Sequence, residues 1–278
     1  MNDFILDSEL MIRLGIFISM FVVVATWEVV APRRRRVASL GTRWPSNLGV
    51  AALNTLLARV VAPAGVVGLA LVADALGWGM MNQVSLPFWL AVALSVLMLD
   101  LAIYLQHVLF HAVPVLWRLH RMHHADLDFD VTTGVRFHPI EILLSLGIKL
   151  CVVAALGLPA VAALIFEVLL NATALFNHGN VRLPHQVDRF LRLIVVTPDM
   201  HRVHHSVLPE ETNSNFGFNF PWWDRLLGTY RAQPVSGHDA MTIGIDQFRE
   251  SRELRLDRML VQPFKGGLGG HDINRGTR

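Results

Sequence analysis

The stretch from Leu10 to Val30 restricts this chain more than any other feature, because it is mostly apolar and its only ionisable residues are Arg13 and Glu28. At about 1.5 Å per residue, a helix of that length covers roughly the 30 Å of a bilayer's hydrocarbon. Backbone N–H and C=O groups cannot stay unpaired in lipid, so the stretch is expected to be a membrane helix. Further apolar segments run from about 47 to 72 and from about 86 to 110. A last apolar block is broken by Gly157 and Pro159 into arms of 140–156 and 160–176. Arms this short are expected to dip into the bilayer and return as a hairpin. Composition agrees, with 53% hydrophobic residues, only 17% charged and a mean hydropathy of +0.44. This composition argues against an ordinary water-soluble monomer and excludes a disordered chain. The expected architecture is an all-α integral membrane protein, a single domain over 1–278 with about four or five membrane helices or half-helices. A helical cap of about 112–139 and 179–235 and a polar, frayed tail over 236–278 complete it.

Charge sets the orientation. Asp3, Asp7 and Glu9 precede the first span and Arg33 to Arg36 follow it, which is the reverse of a cleaved signal peptide and favours an N-terminus outside. The segment 31–46 has five arginines, 73–85 has no basic residue, and 112–139 has Arg118, Arg121 and Arg136. Basic and neutral loops therefore alternate, and everything from Gly179 onward is expected to be cytoplasmic. Arginine outnumbers lysine, which occurs only at Lys149 and Lys265, a bias associated with GC-rich bacterial genomes. The expected location is thus the inner membrane of a bacterial cell. Phe220, Trp222 and Trp223 read as an aromatic belt at the membrane surface.

The chain has 13 histidines and a single cysteine, Cys151, so neither an intrachain disulfide nor a thiolate-built metal site is available. His107 and His111 lie four apart at the end of the third span. His120, His123 and His124 form one His-x-x-His-His pentad, and His201, His204 and His205 form a second. Spacings of three and four put the rings on one side of a helix, so one short element can feed two neighbouring metal ions. His178 follows the hairpin close to this set and is read as a further ligand. Nine rings are too many for one tetrahedral zinc, so a dinuclear site is implied. Imidazole suits iron, zinc, copper and nickel alike. His138 is read as structural or as a support for a ligand, and His185, His238 and His271 as lying outside the set. Asp126, Asp128, Asp130, Asp199 and Asp224 are candidate acceptors for the rings' outer nitrogens, Asp199 and Asp224 standing beside the second pentad and the closing motif. A zinc-dependent membrane hydrolase using Asp199 or Glu141, and a metal transporter or storage protein, stay open at this point.

On these residues the sequence resembles the membrane fatty acid hydroxylase and sterol desaturase superfamily, whose signature is His-x-x-x-His followed by two His-x-x-His-His motifs. The likeness covers roughly Asp100 to Tyr230, including Trp117-Arg-Leu-His120, Arg136-Phe-His138-Pro, Thr197-Pro-Asp-Met-His201 and Trp223-Asp224-Arg225. What the resemblance implies is a di-iron oxygenase that hydroxylates or desaturates a lipid chain. Two iron ions would be held by His107, His111, His120, His123, His124, His178, His201, His204 and His205, with zinc a frequent substitute in purified protein and O2 as co-substrate. No His-Pro-Gly-Gly motif of a fused cytochrome occurs, so a separate electron-donor protein is expected. The other expected partners are the lipid substrate and the membrane, with no nucleic acid.

Overall fold

The computed structural model describes residues 2–270. Regular structure among the described residues is helical, apart from two isolated β-bridges. The long helices are α1 (Asn2–Val30), α2 (Leu40–Val61), α3 (Gly65–Ala75), α4 (Phe88–Ala112), α5 (Pro114–His124), α6 (Pro139–Leu156) and α7 (Ala160–Asn177). Shorter ones follow: α8 (His185–Leu191), α9 (Pro198–His204), α10 (Pro209–Thr212) and α11 (Trp222–Leu226). Five helical stretches are long and apolar enough to cross a membrane: Ser8–Val30, Leu40–Gln83, Phe88–Ala112, Pro139–Leu156 and Ala160–Asn177. The chain is a membrane protein by this measure.

Helix α7 is the hub, packing against α1, α3 and α4 and meeting α9 near its C-terminal end. Val67 and Ala70 of α3, Val96 and Leu99 of α4, Val153 of α6 and Phe166 of α7 belong to one buried apolar cluster. The apolar run read from 47 to 72 is two helices rather than one. Pro63 lacks the N–H needed to continue α2, and the chain restarts at Gly65 as α3. The hairpin of α6 and α7 has arms that are each long and apolar enough to cross a membrane. Its tip at Gly157 (φ +62) lies against Gly79 so closely that a Cβ on Gly79 would fall 2.1 Å from the Gly157 nitrogen, an approach only glycine permits. The hairpin therefore reaches as far as the connection from α3 to α4, and the histidines gather at the opposite end.

The tail is also not frayed over 236–270. Met241, Ile243, Ile245, Leu254 and Met259 are buried, and Arg121 of α5 donates to the carbonyls of Gly267 at 2.5 Å, Gln262 at 2.6 Å and Lys265. A buried guanidinium needs several acceptors, and this segment's backbone supplies them. His271 lies outside the described residues.

Candidate metal centre

Four elements bring the predicted rings together. Helix α4 carries His107 and His111, α5 carries the first pentad, His178 caps α7, and α9 with its C-cap His205 carries the second pentad. Both α5 and α9 start with proline at the first turn, Pro114 and Pro198, and Thr197 caps α9 by accepting from the Met200 N–H. The nine imidazoles form two groups, all buried. His107, His111, His120, His124 and His204 make one; His123, His178, His201 and His205 make the other. Within each group one nitrogen from every ring lies within 4.8 Å of the others. Each pentad is split between the groups, as one helical turn allows. The groups adjoin, since the His124 and His205 rings stack at 4.6 Å.

Hydrogen bonds fix which nitrogen carries the proton. A backbone carbonyl only accepts, so Nδ1 donates from His107 to Phe216 at 2.8 Å, from His123 to Arg136 at 3.3 Å, from His178 to Ala174 at 2.8 Å and from His204 to Ser214 at 2.7 Å. His120 Nδ1 donates to the Glu141 carboxylate at 2.6 Å. In a neutral ring the other nitrogen, Nε2, is then a bare lone pair. Yet Nε2 of His107 faces Nε2 of His120 at 3.1 Å, and Nε2 of His178 faces that of His123 at 3.2 Å. Two lone pairs at that distance repel unless a cation lies among them. His111 Nε2, His204 Nε2 and both nitrogens of His205 are buried with no partner, a loss of about 1–3 kcal/mol each that coordination would remove. The donor set therefore fits a metal ion in each group.

Burial pushes six of the rings toward the neutral form. His123, His124, His201 and His205 fall well below the ordinary imidazole range, and His178 and His204 fall to about 3, through burial reinforced by neighbouring rings. Neutral rings at neutral pH are the ligand-competent form.

The aspartates do not hold the rings. Asp126 and Asp130 take Arg43 at 2.7 and 2.5 Å, and Asp128 accepts from the Val37 and Ala38 N–H groups. Asp199 pairs with Arg33 and Arg202. Asp224 acts one step removed: it accepts from the Phe216 and Gly217 N–H groups at 2.8 Å each, and so positions the carbonyl that holds His107. Carboxylates near buried arginines are drawn to those full charges before neutral rings. Among the described residues, the carboxylate that meets one of the nine clustered rings is Glu141, in the first turn of α6. Its signal was an acid standing alone at the head of an apolar block. Glu141→Ala is expected to lower metal affinity about 10–100-fold, and Glu141→Gln, which keeps an acceptor, by much less. Chelator competition measures both; equal affinity in all three proteins would discard the role.

His138 caps α6 by accepting from the Ile140 N–H at 3.2 Å and lies outside both groups. His185 and His238 line a polar cavity of about 300 Å³ with Arg33 and Asp199. A cavity of about 30 Å³ touches the centre itself, its lining including His107, His120 and Glu141 together with Ile103, Phe137 and Phe218.

Residues 92–229 match the family model for fatty acid hydroxylase. The chain carries a fatty acid hydroxylase domain. All nine clustered histidines lie inside it. The hydroxylase domain is 33% identical over 148 residues to ornithine lipid hydroxylase OlsE of Rhizobium tropici, covering 53% of this chain and 44% of that protein. It is 27% identical over 140 residues to human alkylglycerol monooxygenase, covering 48% and 29% of the two chains. Human cholesterol 25-hydroxylase is 28% identical over 145 residues, half of each chain. The chain spans half or less of the length of these relatives. No solved structure matches it.

Proposed function

We propose that the chain is a non-haem di-iron oxygenase that hydroxylates or desaturates a membrane lipid, with dioxygen as co-substrate and electrons from a separate donor protein. The observation that carries this reading is the pair of buried imidazole groups whose lone pairs face one another. One iron would be held by His107, His111, His120, His124 and His204, the other by His123, His178, His201 and His205. Bound iron supplies oxidising power against an unactivated C–H bond, which no side chain possesses.

The chain's own residues supply the rest. The carbonyls of Phe216, Arg136, Ala174 and Ser214 lock the ring tautomers. Glu141 accepts from His120 Nδ1–H and holds that ring in place. Ile103, Phe137 and Phe218 make the approach to His107 and His120 apolar, which suits a hydrocarbon chain and excludes water. The relatives are named for acting on an ornithine lipid, an alkylglycerol and cholesterol, which supports a lipid as substrate. The reading sets the chain in a bacterial inner membrane, N-terminus outside and histidines at the cytoplasmic face. In support, Arg33, Arg34 and Arg36 follow α1 directly and bond Asp239, Met241 and Glu28 at that end.

The test incubates iron-loaded protein with lipid extract of its host and a reducing donor, with and without dioxygen. The expected product has gained one oxygen atom or lost two hydrogens, only when dioxygen is present. Cleavage without dioxygen would replace this reading with a hydrolase. Metal flux without lipid product would replace it with a transporter.

A further inference from the structure

Asp100 is fully buried at the middle of α4, and its partners come from far along the chain. The Trp223 indole N–H donates to it at 2.8 Å and the Asn219 backbone N–H at 3.3 Å. From the other side, Asn177 of α7 donates to the Phe218 carbonyl at 3.0 Å, and Thr173 bonds Asn219. Segment 216–224 is therefore wedged between α4 and α7. The segment returns at the level of Tyr104, whose hydroxyl meets Thr229 at 2.8 Å. Trp223, half-buried, thus anchors the segment to α4 through its indole N–H.

The depth of this wedge follows from α4. Leu105 and Leu109 are exposed apolar residues on that helix. Asp100 lies nine residues before Leu109, about 13 Å deeper along the axis. A segment bonded to Asp100 cannot stay in the water layer beyond Leu109. Its outer surface agrees: Leu226 is 73% exposed and Trp222 and Leu227 are exposed beside it. Helix α8 continues this surface with Phe190, 62% exposed, and with Val187, followed by Leu193 and Ile194. Trp222 and Arg225 tie the two pieces together by donating to the carbonyls of Leu193 at 2.6 Å and Arg192 at 3.2 Å. Exposed Arg189 and Arg225 flank the patch, the arrangement of an interfacial helix whose cations reach lipid phosphates.

We propose that α8 and segment 216–227 form a re-entrant collar immersed in the cytoplasmic leaflet, its apolar face covered by phospholipid acyl chains and its arginines at the phosphates. This rests on the reading of α4 as a membrane span and moves part of the region after Gly179 out of the cytoplasm.

The test uses full-length protein with Cys151→Ser, carrying nitroxide labels at Phe190→Cys or Leu226→Cys, in phosphatidylethanolamine and phosphatidylglycerol vesicles. Leu105→Cys on α4 is the lipid reference and Glu210→Cys the aqueous one. Collision with dioxygen relative to a water-soluble nickel chelate is expected to match Leu105→Cys at both collar positions and to exceed Glu210→Cys several-fold. In the Asp100→Leu background the ratio at 226 is expected to fall toward the aqueous value while that at 105 stays. Collar labels that behave like 210, or that neither reagent reaches because protein covers them, overturn the collar and leave the spans intact. An aqueous label at 105 overturns the spanning reading and the collar together.

Discussion

His123→Ala is expected to lower bound metal from two ions per chain to one and to reduce turnover by at least about 10³-fold, since a metal contributes several kcal/mol of transition-state stabilisation. The group it belongs to has only four rings, and its loss leaves His178, His201 and His205. It also removes the partner facing His178 Nε2 at 3.2 Å. His204→Ala leaves four rings in its group, so it should retain more metal than His123→Ala at equal chelator while losing comparable activity. Metal analysis of the purified variants, beside helical circular dichroism and detergent gel filtration to verify folding, separates the two effects. Full occupancy in both proteins would refute the ligand assignment; equal loss would refute the division into two groups.

The histidine set was readable because its geometry is local: spacings of three and four within one turn bring rings to one side whatever the remainder of the fold does. The long apolar helices were readable, apart from the break between α2 and α3, because lipid imposes a length and an apolar content. What holds each ring was not readable. Four of the acceptors are backbone carbonyls, those of Phe216, Arg136, Ala174 and Ser214, and a carbonyl is the same at every position in a sequence. The aspartates looked available only while their arginine partners were out of view, Arg43 lying 83 residues from Asp126. Similarly, Asp100 and Trp223 are 123 residues apart, so neither reads alone as half of an anchor. The tail looked frayed because its composition is polar, although the buried face of Arg121 required acceptors from somewhere.

Arg43→Met is expected to destabilise the protein by about 3–5 kcal/mol, the usual cost of removing one partner from a buried ion cluster. Arg43 is fully buried near the start of α2. It donates to Asp126 at 2.7 and 2.9 Å and to Asp130 at 2.5 Å, while Asn47 bridges from Asp126 to Arg136 at 3.3 and 3.0 Å. Burial alone would raise the Asp126 carboxyl, but Arg43 and Arg136 beside it hold it well below the usual carboxylate range. Without the guanidinium, Asp126 keeps only the more distant Arg136 charge and its hydrogen bonds, and Asp130 loses its ion-pair partner while fully buried. Because the loop they brace includes Arg136, whose carbonyl holds His123, metal should also be lost from the four-ring group before the five-ring group. Adding Asp126→Asn and Asp130→Asn to Arg43→Met removes the stranded charges and should recover part of the stability, whereas each Asn alone should recover less. Denaturant unfolding in detergent micelles measures all of these; an Arg43→Met protein within about 0.5 kcal/mol of the parent would show that the cluster does not brace the centre.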